Sequence, residues 1–437
     1  MAGRTNRKGA SSTSSAPDVE EPKPAGSGST AYRIKLFSGH EPASFNAAML
    51  TGIVLTLVVF GLVMVFSSSS VEEFAAGNTL STRFLRQGLF AVIGIPIMLV
   101  ASRLPVRFWS SNVAWLGLLF AIVLQALVFT PLGVEVSGNR AWLNLGFITI
   151  QPAEFAKVAL AVWLGMMITR KGESLRELKN VIIPIGLPVA IVLGLALAGK
   201  DLGTVMVIGA LVLGGLWFGG IRLSFILGAA ALAVAGAVLM AAISPNRVAR
   251  ITSFFAGNCD YEGLCWQTSH GFYALAQGGL FGVGLGNSTA KWSWLPEADN
   301  DFIFAIIGEE LGTIGALLVI VLIAAMGIMM LRIWNESVSP AGRVIAGSIF
   351  TWFVFQAFVN IAVVLGLLPV LGVPLPLLSS GGSALLTSLL AVGIVLSVCR
   401  ETAAAELSQA NANERGASCL GIETDGSQLA VRNTRSQ

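Results

Sequence analysis

Ten apolar runs of about 16 to 24 residues divide this 437-residue chain, and they restrict its fold more than any other feature. A helix needs about 20 apolar residues to cross the roughly 30 Å of hydrocarbon in a bilayer. With 54% hydrophobic and only 12% charged residues, the chain has too few polar side chains to cover a soluble surface. The sequence therefore predicts an all-α, polytopic bundle of about ten transmembrane helices. The predicted spans are residues 49–67, 87–102, 112–130, 152–169, 181–198, 203–219, 223–243, 311–331, 344–367 and 382–398.

Lysine and arginine are distributed unevenly between alternate loops. One set of loops carries Arg103, Arg107, Arg170, Lys171, Arg176, Lys179, Arg222, Arg332 and Arg343. The opposite short loops carry Arg83, Arg86, Arg140 and Lys200. Because positively charged loops stay in the cytoplasm, the richer set predicts that both termini are cytoplasmic.

The two ends of the chain differ in composition from the middle. Residues 1–45 are rich in Ser, Pro and charge, and residues 401–437 are polar without an apolar period. Both predict disordered cytoplasmic tails around a membrane domain at residues 46–400. The long polar opening stretch does not resemble a cleavable signal peptide, so we interpret the first helix as a signal anchor.

Four segments on the predicted outer side are long or polar enough to hold a site. They are residues 131–151, 199–204, 368–381 and a large loop at 244–301 between helices 7 and 8. Within the large loop Cys259 and Cys265 lie six positions apart, and both a small disulfide and two free thiols are open. The only histidines are His40 and His270, so a zinc site or a histidine-activated nucleophile finds little support.

Residues 294–312, WLPEADNDFIFAIIGEELG, carry five carboxylates: Glu297, Asp299, Asp301, Glu309 and Glu310. An acidic helix N-terminus would explain the first three singly but not the adjacent glutamate pair. Since residues 311–331 can span a bilayer alone, the pair is expected near the outer interface. If the helix inserts from residue 302, the pair must instead face a polar cavity. Either arrangement predicts a functional carboxylate cluster.

Residues 139–157 combine Arg140, Trp142, Gln151, Glu154 and Lys157. The spacing of Glu154 and Lys157 allows a self-neutralised pair on one helix face. The alternative is that the cations bind an anionic ligand such as a diphosphate.

A second set of charged residues is equally open to two interpretations. Lys200 and Asp201 are either an interfacial pair between helices 5 and 6 or part of the same anion site. Lys291, in the large loop, is a further candidate cation.

Six blocks in this sequence, in this order, resemble the SEDS family (shape, elongation, division and sporulation), and in particular its FtsW branch in actinobacteria. The blocks cover roughly residues 49–398 and read NRAWLNLG–QPAEFAK, KDLGT, GGLFGVGLGNS, KWSWLPEADNDFIFAIIGEELG, QAFVNIAVVLGLLP and GVPLPLLSSGGS. Two departures stand out. Many relatives carry His-Thr where this chain has Asp299-Asn300, and Ser-Tyr-Gly-Gly-Ser where it has residues 379–383 as SSGGS.

The resemblance implies a peptidoglycan glycosyltransferase that polymerises lipid II outside the membrane, with undecaprenyl diphosphate as the leaving group. It transfers the catalytic role to Asp301 and implies substrate-binding roles for Ser379, Gly381 and Gly382. It also implies a class B penicillin-binding transpeptidase and other division-complex membrane proteins as partners. Nothing in the sequence indicates a nucleic-acid partner.

The expected chemistry fits these residues. A carboxylate at Asp301 can accept the proton of an attacking sugar hydroxyl as a general base. Glu297 and Asp299 would raise its pKa by like-charge repulsion. The leaving diphosphate needs positive charge, which the cations named above or a divalent ion could supply. Asp301 and Glu297 are candidate ligands for Mg²⁺ or Mn²⁺, but the sequence gives no full ligand set.

Three other interpretations remain at this stage. A lipid II flippase would place ionisable groups at mid-membrane and break its helices there, whereas these charges collect at one face. A non-catalytic scaffold leaves the carboxylates unexplained. A RodA-like polymerase of cell elongation is the nearest alternative within the family, and the long polar tails favour division.

Overall fold

The computed structural model describes residues 43–75, 82–136, 138–146, 148–243, 248, 252, 266–292 and 295–419. Cys259 and Cys265, Trp294 and most of the N-terminal tail lie outside these ranges, so the two interpretations of the cysteines both stay predictions. In the described part of the chain the dominant elements are helices, with one small sheet. The all-α fold class is confirmed.

The ten predicted spans all coincide with helices. These are α1 (Ala43–Ala75), α2 (Thr82–Arg103), α4 (Val113–Leu127), α5 (Pro152–Lys171), α6 and α7 (Leu178–Val181 and Leu187–Ala198, joined by a π-helical turn), α8 (Leu202–Phe218), α9 (Leu223–Ile243), α11 (Ile303–Glu336), α12 (Pro340–Val364) and α13 (Gly382–Cys419). Two short helices, α3 (Val106–Trp109) and α10 (Trp266–Gly278), connect them. Among the described residues, seven helical segments are long and apolar enough to cross a membrane, and three shorter apolar helices accompany them.

Burial differs sharply between the helices. In α5, 83% of the most apolar window is buried inside the protein, compared with 28% in the segment that contains α7. Trp163 of α5 is fully buried, whereas Leu232 of α9 is 75% exposed. Exposed leucine is costly in water but not in hydrocarbon. The bundle therefore has a protein-buried centre, and its outer helices present apolar surface to lipid.

The last helix is longer than the sequence predicts. α13 packs along α2 and continues to Cys419, so residues 401–419 are helical where we expected the disordered tail to begin. The stretch from residue 402 to 411 contains four alanines and a leucine, which favour helix even where few neighbours pack against them.

The segment at residues 131–151 forms a three-stranded antiparallel sheet, which the sequence did not predict. Its strands are β1 (Gly133–Val136), β2 (Asn139–Asn144) and β3 (Thr149–Ile150), in that order. The register pairs Val134 with Trp142 and Leu143 with Ile150. The backbone N–H of Arg140 donates to the carbonyl of Gly199 at 2.9 Å, which fixes the sheet against the turn between α7 and α8.

Helix α11 is broken at Gly312, whose backbone angles (φ 69°, ψ −169°) are not helical. A Cβ at this position would lie 2.4 Å from backbone atoms of residues 280 and 282, so only glycine fits. The break frees the carbonyls of Glu309 and Glu310, which accept from the backbone N–H groups of Val283 and Gly284 at 3.0 Å each. The 24 residues after the break would rise about 36 Å as a helix and can span a bilayer alone.

Candidate active site

Asp301 lies in the turn just before α11 and remains partly exposed. Burial of its carboxyl, followed by the negative charges of Glu297, Asp201 and Asp299, raises its pKa to about 7. A Cβ on Gly372 would lie 3.6 Å from Asp301 Oδ2, so the strap at residues 368–381 passes close to the carboxylate. The structure therefore gives Asp301 the pKa of a base that titrates near neutral pH.

The loop that carries Asp301 (the Asp301 loop, residues 295–302) is held to the strap through its backbone. The N–H of Ser380 donates to the carbonyl of Asp299 at 2.9 Å. The hydroxyl of Ser379 donates to the carbonyl of Asn300 at 2.8 Å and accepts from the N–H of Leu375 at 2.7 Å. Ser379, predicted to bind substrate, thus has its hydroxyl engaged in joining these two segments.

A third consecutive carbonyl of the Asp301 loop is held from α12. Asn360 Nδ2 donates to the carbonyl of Asp301 at 2.8 Å and to that of Val373 in the strap at 2.7 Å. The carbonyls of residues 299, 300 and 301 therefore each accept one hydrogen bond from outside the loop. We refer to this set as the carbonyl ladder.

Helix α2 closes one side of the site. Arg83 Nη1 and Ser380 Oγ both donate to Asp299 Oδ2, at 3.0 and 2.8 Å. Gln87 Nε2 donates to the carbonyl of Ser379 at 3.1 Å, and Gln87 Oε1 accepts from the N–H of Gly381 at 3.2 Å. Sequence reasoning treated Arg83 only as a loop charge and missed Gln87 and Asn360. The signal that could have found Gln87 and Asn360 was a polar residue at the start of, or inside, an otherwise apolar run.

Glu154 and Lys157 form the self-neutralised pair that their spacing allows. Lys157 Nζ lies 2.8 Å from Glu154 Oε1, and both side chains are at most 3% exposed. The ammonium also donates to Gln356 Oε1 at 3.0 Å and lies 4.5 Å from the centroid of the Trp352 ring. Lys157 is therefore saturated by protein groups, and the structure does not present it to an anionic ligand as predicted.

Asp201 connects the start of α8 to the start of α5. Its Oδ1 accepts from the N–H of Thr204 at 3.0 Å and caps α8, while Oδ2 accepts from Gln151 Nε2 at 3.0 Å. Lys200 precedes it in a left-handed conformation (φ 61°). Gln151 and Asp201, predicted as site residues, thus lie together, and Asp201 is near enough to Asp301 to raise the pKa of that carboxyl.

Arg140 lines an open cavity between α4, α5, α7 and β2 that also includes Asp201 and Gln125. Its Nη2 donates to the carbonyl of Thr130 at 2.9 Å, and the side chain stays partly exposed. Trp142 follows on the same strand and is also partly exposed. The structure therefore places the partly exposed Arg140 in a cavity that Asp201 also lines.

Glu310 lies in a separate buried cluster. Its carboxylate accepts from Ser67 Oγ of α1 at 2.7 Å and pairs with Lys291 Nζ at 3.2 Å. Lys291 Nζ also donates to the carbonyl of Gly286 at 2.6 Å. The side chains of Lys291 and Glu310 are 2% and 0% exposed, so the structure gives both of them protein partners where we expected substrate contacts.

Glu309 is also buried and hydrogen-bonded to protein groups. It accepts from the hydroxyl of Ser288 and from the N–H of Thr289, the latter at 2.8 Å, and it is 0% exposed. The five carboxylates of residues 297–310 therefore do not form one cluster. The break at Gly312 and the returning loop at residues 279–291 enclose the glutamate pair, while Asp299 and Asp301 face the strap.

The predicted divalent-metal ligands, Asp301 and Glu297, lie close enough for Glu297 to raise the pKa of Asp301. In the parts of the chain that are described, no group of three or more His, Cys, Asp or Glu side chains is placed to hold a metal ion. Glu297 adopts φ 56° and accepts from Asn300 Nδ2 at 3.3 Å. Asp301 and Glu297 would offer two carboxylates to Mg²⁺ or Mn²⁺, a number typical of sites that substrate phosphates complete, and the metal stays a prediction.

The remaining predicted glycines begin the last helix. Gly381 precedes α13, and Gly382 is its first residue. A Cβ on Gly382 would lie 2.0 Å from the ring of Phe90 in α2, so glycine is required for this close approach. Gly382 thus contributes by allowing α2 and α13 to pack beside the strap.

The fold and the site together define a polytopic membrane protein with a carboxylate site at the end of a membrane-spanning helix. The chain belongs to the cell cycle protein family of FtsW, RodA and SpoVE, which matches residues 47–404. A Mycobacterium tuberculosis relative, named probable peptidoglycan glycosyltransferase FtsW, is 35% identical over 382 residues, covering 87% of this chain and 72% of the relative. A relative of the same name in Trichlorobacter lovleyi is 38% identical over 361 residues, covering 82% and 93%. The family resemblance found in the sequence is confirmed.

Solved structures show the same fold. A chain of the structure titled "Structural coordination of polymerization and crosslinking by a peptidoglycan synthase complex" superposes with a TM-score of 0.65 at 24% identity, over 81% of this chain and 97% of that one. The rod shape determining protein RodA of Thermus thermophilus gives a TM-score of 0.59 at 24% identity, over 81% and 96%.

Proposed function

We propose that this protein is a peptidoglycan glycosyltransferase of cell division that polymerises lipid II. The relatives named above supply the activity by similarity. The observation that carries the proposal is Asp301, a partly exposed residue whose carboxyl has a pKa raised to about 7 by burial and neighbouring charge, and whose loop is held by the three hydrogen bonds of the carbonyl ladder.

In the proposed reaction a sugar hydroxyl of one lipid II attacks the anomeric carbon of the growing chain. A new glycosidic C–O bond forms, the bond to the lipid diphosphate breaks, and undecaprenyl diphosphate leaves with the bonding pair. Asp301 accepts the proton of the attacking hydroxyl. A base whose pKa lies near the working pH is deprotonated in a useful fraction of molecules and still basic enough to take the proton.

The leaving diphosphate carries negative charge, and Arg140 is the cation best placed to meet it. The Arg140 side chain lines an open cavity together with Asp201, whereas Lys157 and Lys291 are buried in ion pairs. A guanidinium can bind two phosphate oxygens at once, which suits a diphosphate. Lys200, in the turn beside Asp201, is the second candidate for this role.

The proposed cellular arrangement follows from the loop charges and the relatives. Cytoplasmic termini and an extracytoplasmic site agree with the excess of arginine and lysine in alternate loops. The proposed site of action is the division septum, because the relatives are named FtsW. The proposed partner is a class B penicillin-binding transpeptidase, since the matching fold occurs in a complex whose title couples polymerisation to crosslinking.

A lipid II flippase is the second candidate, and the break in α11 is the observation that favours it. Transporters often use broken helices with buried ionisable groups. Here Gly312 interrupts α11 directly after the buried Glu309 and Glu310. The segment after the break is still long enough to span the bilayer, so the break falls at one end of the span, which agrees better with an enzyme.

The decisive experiment incubates the purified full-length protein with lipid II, with and without the transpeptidase, and measures glycan strands. Strand formation supports the proposal. The same protein in lipid vesicles is then tested for movement of lipid II between leaflets. Transport without polymer would identify a flippase, and the absence of both activities in the presence of the partner would contradict the proposed function.

A further inference from the structure

Asn360 is a buried amide near the C-terminal end of the apolar helix α12. It is 1% exposed, and its neighbours along the helix are mainly aliphatic and aromatic. Its Nδ2 donates to two carbonyls, those of Asp301 and Val373. Because both partners are acceptors, only the NH₂ end of the amide can face them, and the orientation of the side chain is fixed.

The side-chain oxygen of Asn360 has no hydrogen-bond partner in the described part of the chain. Among the described residues Asn360 Oδ1 is one of the buried polar atoms that accept no hydrogen bond. An unsatisfied buried acceptor costs about 1–3 kcal/mol. The amide thus leaves its acceptor unsatisfied while its donors hold two carbonyls, which directs attention to what those two contacts position.

We propose that Asn360 is a positioning residue of the polymerase reaction, because its amide fixes the backbone of Asp301 against the strap and so aims the carboxylate at the attacking hydroxyl. This inference rests on the proposed function. Asn360 is the one side chain of the carbonyl ladder whose two donors join both segments that meet at Asp301. Ser379 and Ser380 hold the residues before it.

The geometry explains why such a contact matters for chemistry. The carbonyl oxygen of Asp301 is three bonds from Cβ of the same residue. A shift of that oxygen therefore moves the carboxylate with it. A misplacement of about 1 Å at a reacting group can lower the rate by about 100-fold. A loosened loop also admits water to a carboxyl that is now partly buried, and hydration lowers a raised pKa.

The test replaces Asn360 with leucine, which has nearly the same shape and no donor. We expect Asn360→Leu to lower kcat by about 10- to 100-fold with a much smaller change in KM. We also expect the acid limb of the pH–rate profile to move to lower pH by about one unit, because Asp301 becomes better hydrated. A purely structural role would not move that limb.

Gln356 supplies the matched control. It lies one turn earlier on the same helix, and its Nε2 donates to the carbonyl of Pro374 in the strap at 2.8 Å. No hydrogen bond joins it to the described residues of the Asp301 loop. Gln356→Leu should lower the melting temperature and leave the acid limb where it is.

The outcomes separate the two proposals. If the wild-type protein forms no glycan strands under any condition, the proposed function fails and this inference fails with it. If the wild type is active and Asn360→Leu keeps the wild-type acid limb, the inference alone is overturned. Should Asn360→Leu not fold, Asn360→Ser is measured in its place with the same expected direction. Failure of both to fold, while Gln356→Leu folds, would show a purely structural residue and overturn the inference.

Discussion

The Asp301 loop and the Glu309–Glu310 cluster lie within ten residues of each other, yet the protein holds them in opposite ways. Around Asp301 the contacts go to backbone carbonyls, and the residue as a whole stays partly exposed. Around Glu309 and Glu310 the contacts go to the carboxylates themselves, which are fully buried.

The difference shows what makes a buried acid available for chemistry. A carboxylate that accepts several hydrogen bonds or pairs with an ammonium is stabilised as an anion and has no free lone pair for a substrate. A carboxylate whose surroundings are fixed through the main chain keeps its oxygens free. The position of such a carboxylate is then fixed although no protein group occupies its oxygens.

The largest effect is expected at the free carboxylate. Asp301→Asn should lower glycan-strand formation by about 10²–10⁴-fold, because a general base is lost. Folding should be kept, since the ladder binds the backbone, and the melting temperature at pH 8 should be equal or higher because one repelled charge disappears. Strand formation from lipid II and thermal unfolding of the same purified samples check both parts. Near-normal polymerisation would remove Asp301 from the catalytic role.

Substitutions in the buried Glu309–Glu310 cluster should change the stability of the protein. Glu310→Ala leaves the ammonium of Lys291 buried without its carboxylate, which should lower the free energy of unfolding by about 3–5 kcal/mol. Chemical denaturation in detergent measures this. A second variant with Glu310→Leu and Lys291→Met together should recover much of the loss, because both buried charges are gone. A single variant as stable as the wild type would contradict the buried pair.

The pH dependence should separate the two regions further. A general base works only when deprotonated, so the raised pKa of Asp301 in the free protein predicts that kcat/KM falls about tenfold per pH unit below about 7. Because the folded pKa lies above its ordinary value of 3.8, this group also makes folding less favourable as pH rises from about 4 to 7.

Asp299→Asn should move the acid limb to lower pH, since it removes one negative neighbour. A limb that stays in place would argue against repulsion from Asp299.

The smallest effect is expected for Arg83→Ala. The Arg83 side chain is 42% exposed in its pair with Asp299. Exposed pairs contribute up to about 1 kcal/mol. The Asp299 side chain is only 6% exposed, but in the variant Ser380 Oγ still donates to its carboxylate and the N–H of Ser380 still holds its carbonyl. Thermal unfolding and strand formation should change little. A loss of activity comparable to that of Asp301→Asn would show that side-chain contacts, and not the ladder, orient the loop.

The sequence predicted the helices well because each apolar run is long and clearly bounded. It missed β1–β3 because those strands are only two to six residues long and show no extended alternation. It found the Glu154–Lys157 pair, since that contact is local to one helix turn. It grouped Glu309 and Glu310 with Asp301 because chain proximity does not reveal the break at Gly312. Asn360 and Gln87 could not be assigned, since their partners lie far along the chain.

The carbonyl ladder has a consequence for sequence variation at this site. A contact made to the main chain is indifferent to the side chain that the same residue carries. Residues 299 and 300 can therefore change type while the backbone that leads to Asp301 keeps its path. The Asp-Asn found here, in place of the His-Thr of many family members, is a substitution that such a framework tolerates. The side chains at residues 299 and 300, next to the reactive carboxylate, can in this way vary between family members.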